Sequence, residues 1–308
     1  MLFQDLSFIE SILVKHAASQ GLAPSIVALE QSVNWSHPAQ VFPIVCDLLD
    51  SSIFCASILS GLVISVGGLS ETTARFSSSS LLAYCRQNQC FGSGKVADLA
   101  ETLVEIITRS KKVDRVVVPT LKTFLTLLND GTLDDLSTNS KENISERFYS
   151  LLCIEVKGSN NISKVRLIVE LQVRLLSFCS KGGTIHKNGM LTVLPMLTHR
   201  FPLIRKYCAE QLYLHLVSNP GEWTDAMFGD RCAMDEALQN LSCTSWETGS
   251  KIQLIVARAS IMRCMGLVCE ADILFNRCAQ QLQPNMENLL LTTDELDSYE
   301  ALVRDAGY

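Results

Sequence analysis

The chain has 308 residues, 47% of them hydrophobic and 19% charged, and its formal net charge at pH 7 is −6. A chain of this length can form one large domain or a repeat array. Its negative charge repels phosphate and therefore argues against nucleic-acid binding, although the same charge is ordinary for a soluble protein and identifies no partner.

Helical periodicity runs through nearly the whole sequence, because apolar residues recur at spacings of three and four. We predict helices over residues 3–19, 39–50, 52–66, 71–88, 95–110, 113–129, 144–157, 162–179, 187–199, 202–218, 233–243, 250–268, 270–283 and 294–305. The first of these has no basic head, so we expect an amphipathic helix there rather than a signal peptide. Paired helices with short connections predict an all-α fold, a HEAT/armadillo-like α-solenoid of stacked antiparallel helix pairs.

Residues 51–70 form the longest stretch without a charge, and twenty such residues can in principle cross a bilayer. Serines and glycines interrupt the stretch, and its flanks, Asp50 and Glu71, are acidic rather than basic. We therefore expect a buried helix and no membrane span. A membrane-associated protein is the weaker alternative.

Connections between the predicted helices carry the expected breaker residues. Asn129, Asp130 and Gly131 end one helix, and residues 134–143 form a polar loop. The run Gly92-Ser93-Gly94-Lys95 resembles the end of a phosphate-binding loop, but Gln89 and Val96 stand where that motif needs Gly and Ser or Thr. We interpret it as the start of a helix.

Residues 190–217 resemble one HEAT repeat: a helix, a tight turn and a second helix. Arg200, Phe201 and Pro202 interrupt the periodicity between the two helices. The apolar positions of the two helices are Leu191, Leu194 and Leu197 in the first, which also contains Pro195, and Ile204, Cys208, Leu212 and Leu216 in the second. Arg205 lies in the first turn of the second helix, and we expect it to bond an acceptor in the neighbouring repeat. The alternative is that it faces a partner.

Patterns that carry chemistry do not appear in the sequence. The twelve cysteines form no Cys-x-x-Cys pair and have mostly apolar neighbours, so we interpret them as small buried hydrophobes, with zinc ligation or disulfides as weaker alternatives. The five histidines show no metal spacing, and no nucleophile elbow is present. We predict no catalytic residue, no cofactor and no metal, and therefore a non-catalytic binding module.

Two segments resemble a known family. Residues 59–84 read LSGLVISVGGLSETTARFSSSSLLAY, and residues 199–213 read HRFPLIRKYCAEQLY. Both are similar to the C-terminal region of the tubulin-folding cofactor D family of tubulin-specific chaperones. Weaker likeness at residues 118–128 and 241–267 follows in the same order, so that the resemblance extends from about residue 41 to residue 269.

The resemblance implies a cytoplasmic, cytoskeleton-associated helical chaperone. Members capture β-tubulin after the chaperonin releases it, help cofactors C and E to assemble the α/β-tubulin dimer, and associate with an Arf-like small GTPase. The assembly stimulates GTP hydrolysis by tubulin. The alternative is a HEAT scaffold for another complex, such as one in trafficking or transport.

The family offers no compact motif of functional residues to transfer. Our candidates for partner binding are Gly67, Gly68, Glu71, Arg75 and Arg205. For the first four, turn formation with Ser70 or Thr72 as the helix cap is the role that we expect, and partner binding is the alternative. We expect an N-terminal helix and linker over residues 1–38, the cofactor D-like helical repeat domain over 39–270, and a C-terminal helix with an acidic tail over 271–308.

Overall fold

The computed structural model describes residues 36–50, 55–67, 71–90, 94–133, 142–177, 184–218, 227–267 and residue 273. These residues form helices and turns, and no strand occurs among them. The chain divides into two compact units, Met1–Glu155 and Val156–Tyr308. Each unit is described below by itself.

The first unit is built from six helices within its described residues. They are α1 (Pro38–Asp47, extended by a 3₁₀ turn at Leu48–Asp50), α2 (Cys55–Val66), α3 (Glu71–Cys90), α4 (Lys95–Arg109), α5 (Asp114–Asn129) and α6 (Glu142–Val156), which ends at the boundary between the units. Helix α3 packs on α1 and α2, and α5 packs on α2 and α4. The helices therefore pack in pairs, as the sequence predicts.

Apolar residues at helical spacing explain the α4–α5 pair. Leu103 and Ile107 of α4 and Leu121 of α5 are completely buried, because residues three and four apart share a helix face. Three consecutive valines at the start of α5 are helical, as predicted. The helix ends at Asn129, and Gly131 adopts a φ of 79°, which glycine reaches without steric cost.

The uncharged stretch at residues 51–70 contains the twelve-residue helix α2. Its residues Leu59, Leu62, Val63 and Val66 are buried. Among the described residues, no helix combines the length and the apolar character needed to cross a bilayer.

The second unit contains five described helices. They are α7 (Ile162–Leu176), α8 (Thr184–Val193, continued by a 3₁₀ helix at Leu194–Thr198), α9 (Pro202–Ser218), α10 (Arg231–Cys243) and α11 (Lys251–Cys264). Helix α9 packs on α7 and α10, and α10 packs on α11. Side chains cap three of the helix starts: Asn161 caps α7, Asp230 caps α10, and Ser250 forms a capping box with Gln253 at α11.

The predicted HEAT-like pair is formed by α8, its 3₁₀ extension and α9. Leu194 and Leu197 are completely buried, as are the four predicted core positions of α9. One detail differs, because the α-helical geometry ends at Val193 and residues 194–198 are 3₁₀. Pro195 has no N–H and its ring clashes with the carbonyl four residues earlier, so the chain tightens there.

The predicted all-α class of packed helix pairs is confirmed. Several predicted boundaries were wrong by a few residues. Glu142 and Asn143 belong to α6 and not to the polar loop, α8 begins at Thr184 and not at 187, and α11 ends at Cys264, before the predicted end at 268. The helices predicted at 3–19 and 294–305 lie outside the described residues, and of the helix predicted at 270–283 only residue 273 is described. The domain boundaries predicted at residues 38 and 270 border on those ranges and stay predictions.

Candidate partner-binding surface

The Gly67 turn lies at the C-terminal end of α2. The Gly67 N–H donates to the Val63 carbonyl at 2.8 Å, and the Gly67 carbonyl accepts from Lys122 Nζ at 3.3 Å. A Cβ added at Gly67 would lie 2.4 Å from the Cβ of Pro119. Glycine is therefore needed here because the end of α2 approaches α5 closely. Gly68 lies outside the described residues.

Glu71 and Arg75 lie in the first turns of α3, and both side chains are exposed. Their spacing of four residues places them on one face of the helix. The structure thus leaves both side chains accessible to a partner, and their role in binding stays a prediction. Arg205, the fifth candidate, belongs to the second compact unit.

Arg205 is buried, with 4% of its surface exposed, although it is an arginine. Its Nε donates to the Trp246 carbonyl at 2.7 Å, and its Nη2 donates to the Glu247 carbonyl at 2.8 Å. Its Nη1 donates to the carbonyls of His199 at 3.1 Å and Arg200 at 3.4 Å. The guanidinium therefore joins α9 to the connection between α10 and α11, which confirms the predicted bridge between neighbouring helix pairs.

The neighbouring imidazole shows the electrostatic effect of this arrangement. His199 has its pKa lowered from 6.5 to about 4, mainly because it is desolvated by burial and secondly because Arg200 and Arg205 are positively charged. The ring is therefore neutral at pH 7, and its Nδ1 accepts the Phe201 N–H at 3.2 Å. A neutral histidine at this position helps to order the turn that precedes α9.

A groove of about 560 Å³ lies between α9 and residues 241–248. Trp246 is one of its lining residues, and its Nε1 donates to the Leu241 carbonyl at 2.8 Å. Lys206 and Glu247 form an exposed ion pair at 3.2 Å at its edge. The groove combines apolar side chains such as Leu214 and Leu241 with polar ones such as Glu210 and Thr248.

Helix α9 also carries a second apolar face, which points to solvent. Leu203, Tyr213, Leu214 and Val217 are all exposed, and Leu214 is the most exposed at 58%. These positions fall on one side of the helix, because Tyr213, Leu214 and Val217 lie 10, 11 and 14 residues after Leu203, close to three and four full helical turns. We name these four residues the α9 face, and two of them, Tyr213 and Leu214, also line the groove. A concentration of exposed apolar side chains is typical of an interaction surface.

Sequence reasoning missed the α9 face because it followed only the buried positions of this helix. The signal was present, since the helix is apolar on both sides and a helix of that kind is ordinarily buried all round. Deciding which side meets solvent required the packing of α9 on α7 and α10.

Thiol chemistry is suppressed at the buried cysteines. Burial raises the pKa of Cys46 and Cys85 to about 12, and it raises the pKa of Cys208 as well. Such thiols stay protonated at neutral pH and are poor nucleophiles. In the part of the chain that the structure describes, no group of three or more His, Cys, Asp or Glu side chains comes together in a way that could hold a metal ion.

Gly94 and Lys95, the described part of the Gly-Ser-Gly-Lys run, form the start of α4. The helix begins at Lys95, directly after Gly94. The Lys95 ammonium binds Asp50 Oδ1 at 2.8 Å, and the same carboxylate oxygen accepts the Tyr84 hydroxyl at 2.7 Å. This lysine thus takes part in a contact between helices, and the predicted helix start is confirmed.

Comparison with known proteins agrees with the first of the two sequence blocks, residues 59–84, whereas the second, residues 199–213, lies outside the residues that the family model matches. The family model described as "Tubulin folding cofactor D C terminal" matches residues 6–164. A relative named Tubulin-specific chaperone D, from Dictyostelium discoideum, is 23% identical over 201 residues, which cover 61% of this chain and 13% of the relative. The chain therefore spans a small part of that relative's length. No solved structure matches the chain. Because the family model covers about half of its residues, the chain belongs to the tubulin folding cofactor D C-terminal family.

Proposed function

We propose that this chain is a binding module of a tubulin-folding chaperone. The observation that carries the proposal is the family match over residues 6–164, together with the name of the Dictyostelium relative, Tubulin-specific chaperone D. The module acts by holding polypeptides against its helices and has no catalytic centre of its own. It works in the cytoplasm, in association with the cytoskeleton.

The proposed partners are those of post-chaperonin tubulin folding. The module contacts β-tubulin, the α/β-tubulin dimer, cofactors C and E, or the Arf-like small GTPase, and contributes to the assembly that stimulates GTP hydrolysis by tubulin. The partner-accessible side chains Glu71 and Arg75 beside the Gly67 turn form one proposed contact in the first unit.

The α9 face and its groove form the proposed contact of the second unit. The four apolar side chains of the α9 face are between 37% and 58% exposed. Covering the exposed part of each contributes roughly 1 kcal/mol, since full burial of such a side chain is worth about 1.5–3 kcal/mol. The whole face therefore contributes about 4 kcal/mol, which is enough to matter in a complex that also uses polar contacts.

A pull-down with purified components tests this proposal. The full chain is immobilised and offered β-tubulin, the α/β-tubulin dimer, cofactor C, cofactor E and the Arf-like GTPase separately. Capture of at least one supports the function, and capture of none by a folded chain refutes it. Circular dichroism establishes that each preparation is helical.

The double variant Leu214→Glu, Val217→Glu tests the surface. It places two charges where a partner's apolar side chains would lie, so we expect capture to fall at least tenfold. The double variant Ile252→Glu, Val256→Glu is the matched control, because these two side chains are 46% and 47% exposed on α11 of the same unit. Equal capture by the two double variants would show that the α9 face is not the contact.

A further inference from the structure

The turn between α4 and α5 concentrates positive charge. Arg109, Lys111, Lys112 and Arg115 lie within seven residues, with Asp114 as the single acid among them. All four cationic side chains are exposed. Over the whole chain Asp and Glu outnumber Lys and Arg by 32 to 26, so the net charge of this segment is opposite in sign to that of the chain. We name residues 109–115 the basic turn.

A buried carboxylate fixes the shape of the basic turn. Glu155 is completely buried, and its Oε1 accepts the Lys112 N–H at 2.9 Å. The Lys112 ammonium in turn donates to the Glu155 carbonyl at 3.3 Å. These bonds hold Lys112 at a φ of 64°, and it is the one non-glycine residue with a positive φ in the described part of the chain. Glycine would adopt this conformation without strain, so the position keeps a charged side chain at a conformational cost.

Acidic side chains pair with only some of the cationic side chains of the basic turn. Arg109 pairs with Glu105 one helical turn earlier. Lys111 and Arg115 form no ion pair within the described residues of this unit. Val113 lies between them in the sequence and is 44% exposed. The turn thus presents two uncompensated cations around an exposed apolar side chain.

We propose that the basic turn binds an acidic polypeptide segment. Uncompensated cations attract carboxylates, and electrostatic complementarity of this kind selects partners and accelerates their association. The exposed valine provides an apolar contact that a purely ionic ligand would not use. Nucleic acid is disfavoured by the net charge of −6, and a single valine offers little apolar area for insertion into a membrane. This proposal goes beyond the chaperone function and does not depend on it.

Fluorescence anisotropy with the full chain tests the proposal. The probe is a fluorescein-labelled peptide with one leucine between two runs of four glutamates. Lys111→Ala and Arg115→Ala should each weaken binding about threefold, as expected for exposed charge pairs, and the double variant about tenfold. Val113→Ser should weaken binding of this peptide more than binding of an all-glutamate peptide. Raising the salt from 50 to 500 mM should weaken binding by all variants that keep both charges.

Lys251→Ala is the matched control, because Lys251 is an exposed lysine in the other unit. Its affinity for the peptide should equal that of the unaltered chain. Failure of the unaltered chain to bind the peptide, or equal affinity of the Lys111→Ala, Arg115→Ala double variant, would overturn the proposal. Tighter binding of phosphatidylserine vesicles or of a uridine decamer than of the peptide would overturn it as well. No tubulin is used, so this outcome is separate from that of the pull-down.

Discussion

Replacing Arg205 by alanine probes the contacts that form the groove. The substitution removes the two short bonds to the carbonyls of Trp246 and Glu247, at 2.7 and 2.8 Å. A carbonyl left unsatisfied in a buried position costs about 1–3 kcal/mol. Two of them, partly relieved by water at the more exposed one, give about 3 kcal/mol of destabilisation. With a typical urea dependence of about 2 kcal/mol per molar, the unfolding midpoint should fall by about 1.5 M.

Urea unfolding followed by tryptophan fluorescence measures this shift, since Trp246 lies at the contact. Lys206→Ala is the control, because Lys206 takes part only in an exposed ion pair with Glu247. A pair of that kind contributes at most about 1 kcal/mol. Arg205→Lys should lie between the two, because an ammonium lacks the planar fork that serves two carbonyls. If Arg205→Ala unfolds at the same urea concentration as Lys206→Ala, the assigned role of the guanidinium is wrong.

Three further substitutions follow from packing and charge. Gly67→Ala places a Cβ 2.4 Å from the Cβ of Pro119 in α5 and should destabilise the first unit by about 1–3 kcal/mol in thermal unfolding. Gly61→Ala adds its Cβ to open space on α2 and should instead stabilise this unit by about 0.5–1 kcal/mol. Leu212→Asp buries an unpaired charge and should abolish cooperative unfolding of the second unit. Leu214→Asp, on the exposed side of the same helix, should leave the cooperative transition intact. The reverse result would show that the buried and exposed faces of α9 were misassigned. The pKa of His199 is about 4 in the folded chain and 6.5 in its usual state. Between these two pH values the unfolded chain binds more protons than the folded chain, so the free energy of unfolding falls as the pH drops from 6.5 towards 4. His199→Gln should therefore lose less melting temperature over that range than the unaltered chain, and an identical loss would contradict the lowered pKa.

Helix positions could be predicted from the sequence because the apolar residues that a helix buries recur at regular spacings along the chain. The four-residue spacing from Ile204 to Leu216 identifies the buried side of α9, and all four positions are completely buried in the structure. The breaker residues at 129–131 place the end of α5 correctly. The 3₁₀ extension after α8 could have been predicted from Pro195, since a proline inside a helix removes a bond.

The surfaces could not be predicted in the same way. The outward face of α9 looks like core in sequence, because Leu214 and Val217 are as apolar as their buried neighbours, and only the helices packed around α9 decide which side is covered. The role of Gly67 required the distance to Pro119, a residue 52 positions later. The left-handed conformation of Lys112 depends on Glu155, which belongs to a different helix.

The bonds of Arg205 end on main-chain oxygens, and this has a consequence for how such a groove changes in evolution. Every residue type supplies the same carbonyl, so these four contacts place no demand on the side chains at positions 199, 200, 246 and 247. The exposed side chains that line the groove, such as those of Lys206, Glu210 and Ser245, are therefore not constrained by the bonds of this arginine. Two homologues can then keep the main-chain frame of the groove and present different chemistry along its exposed lining.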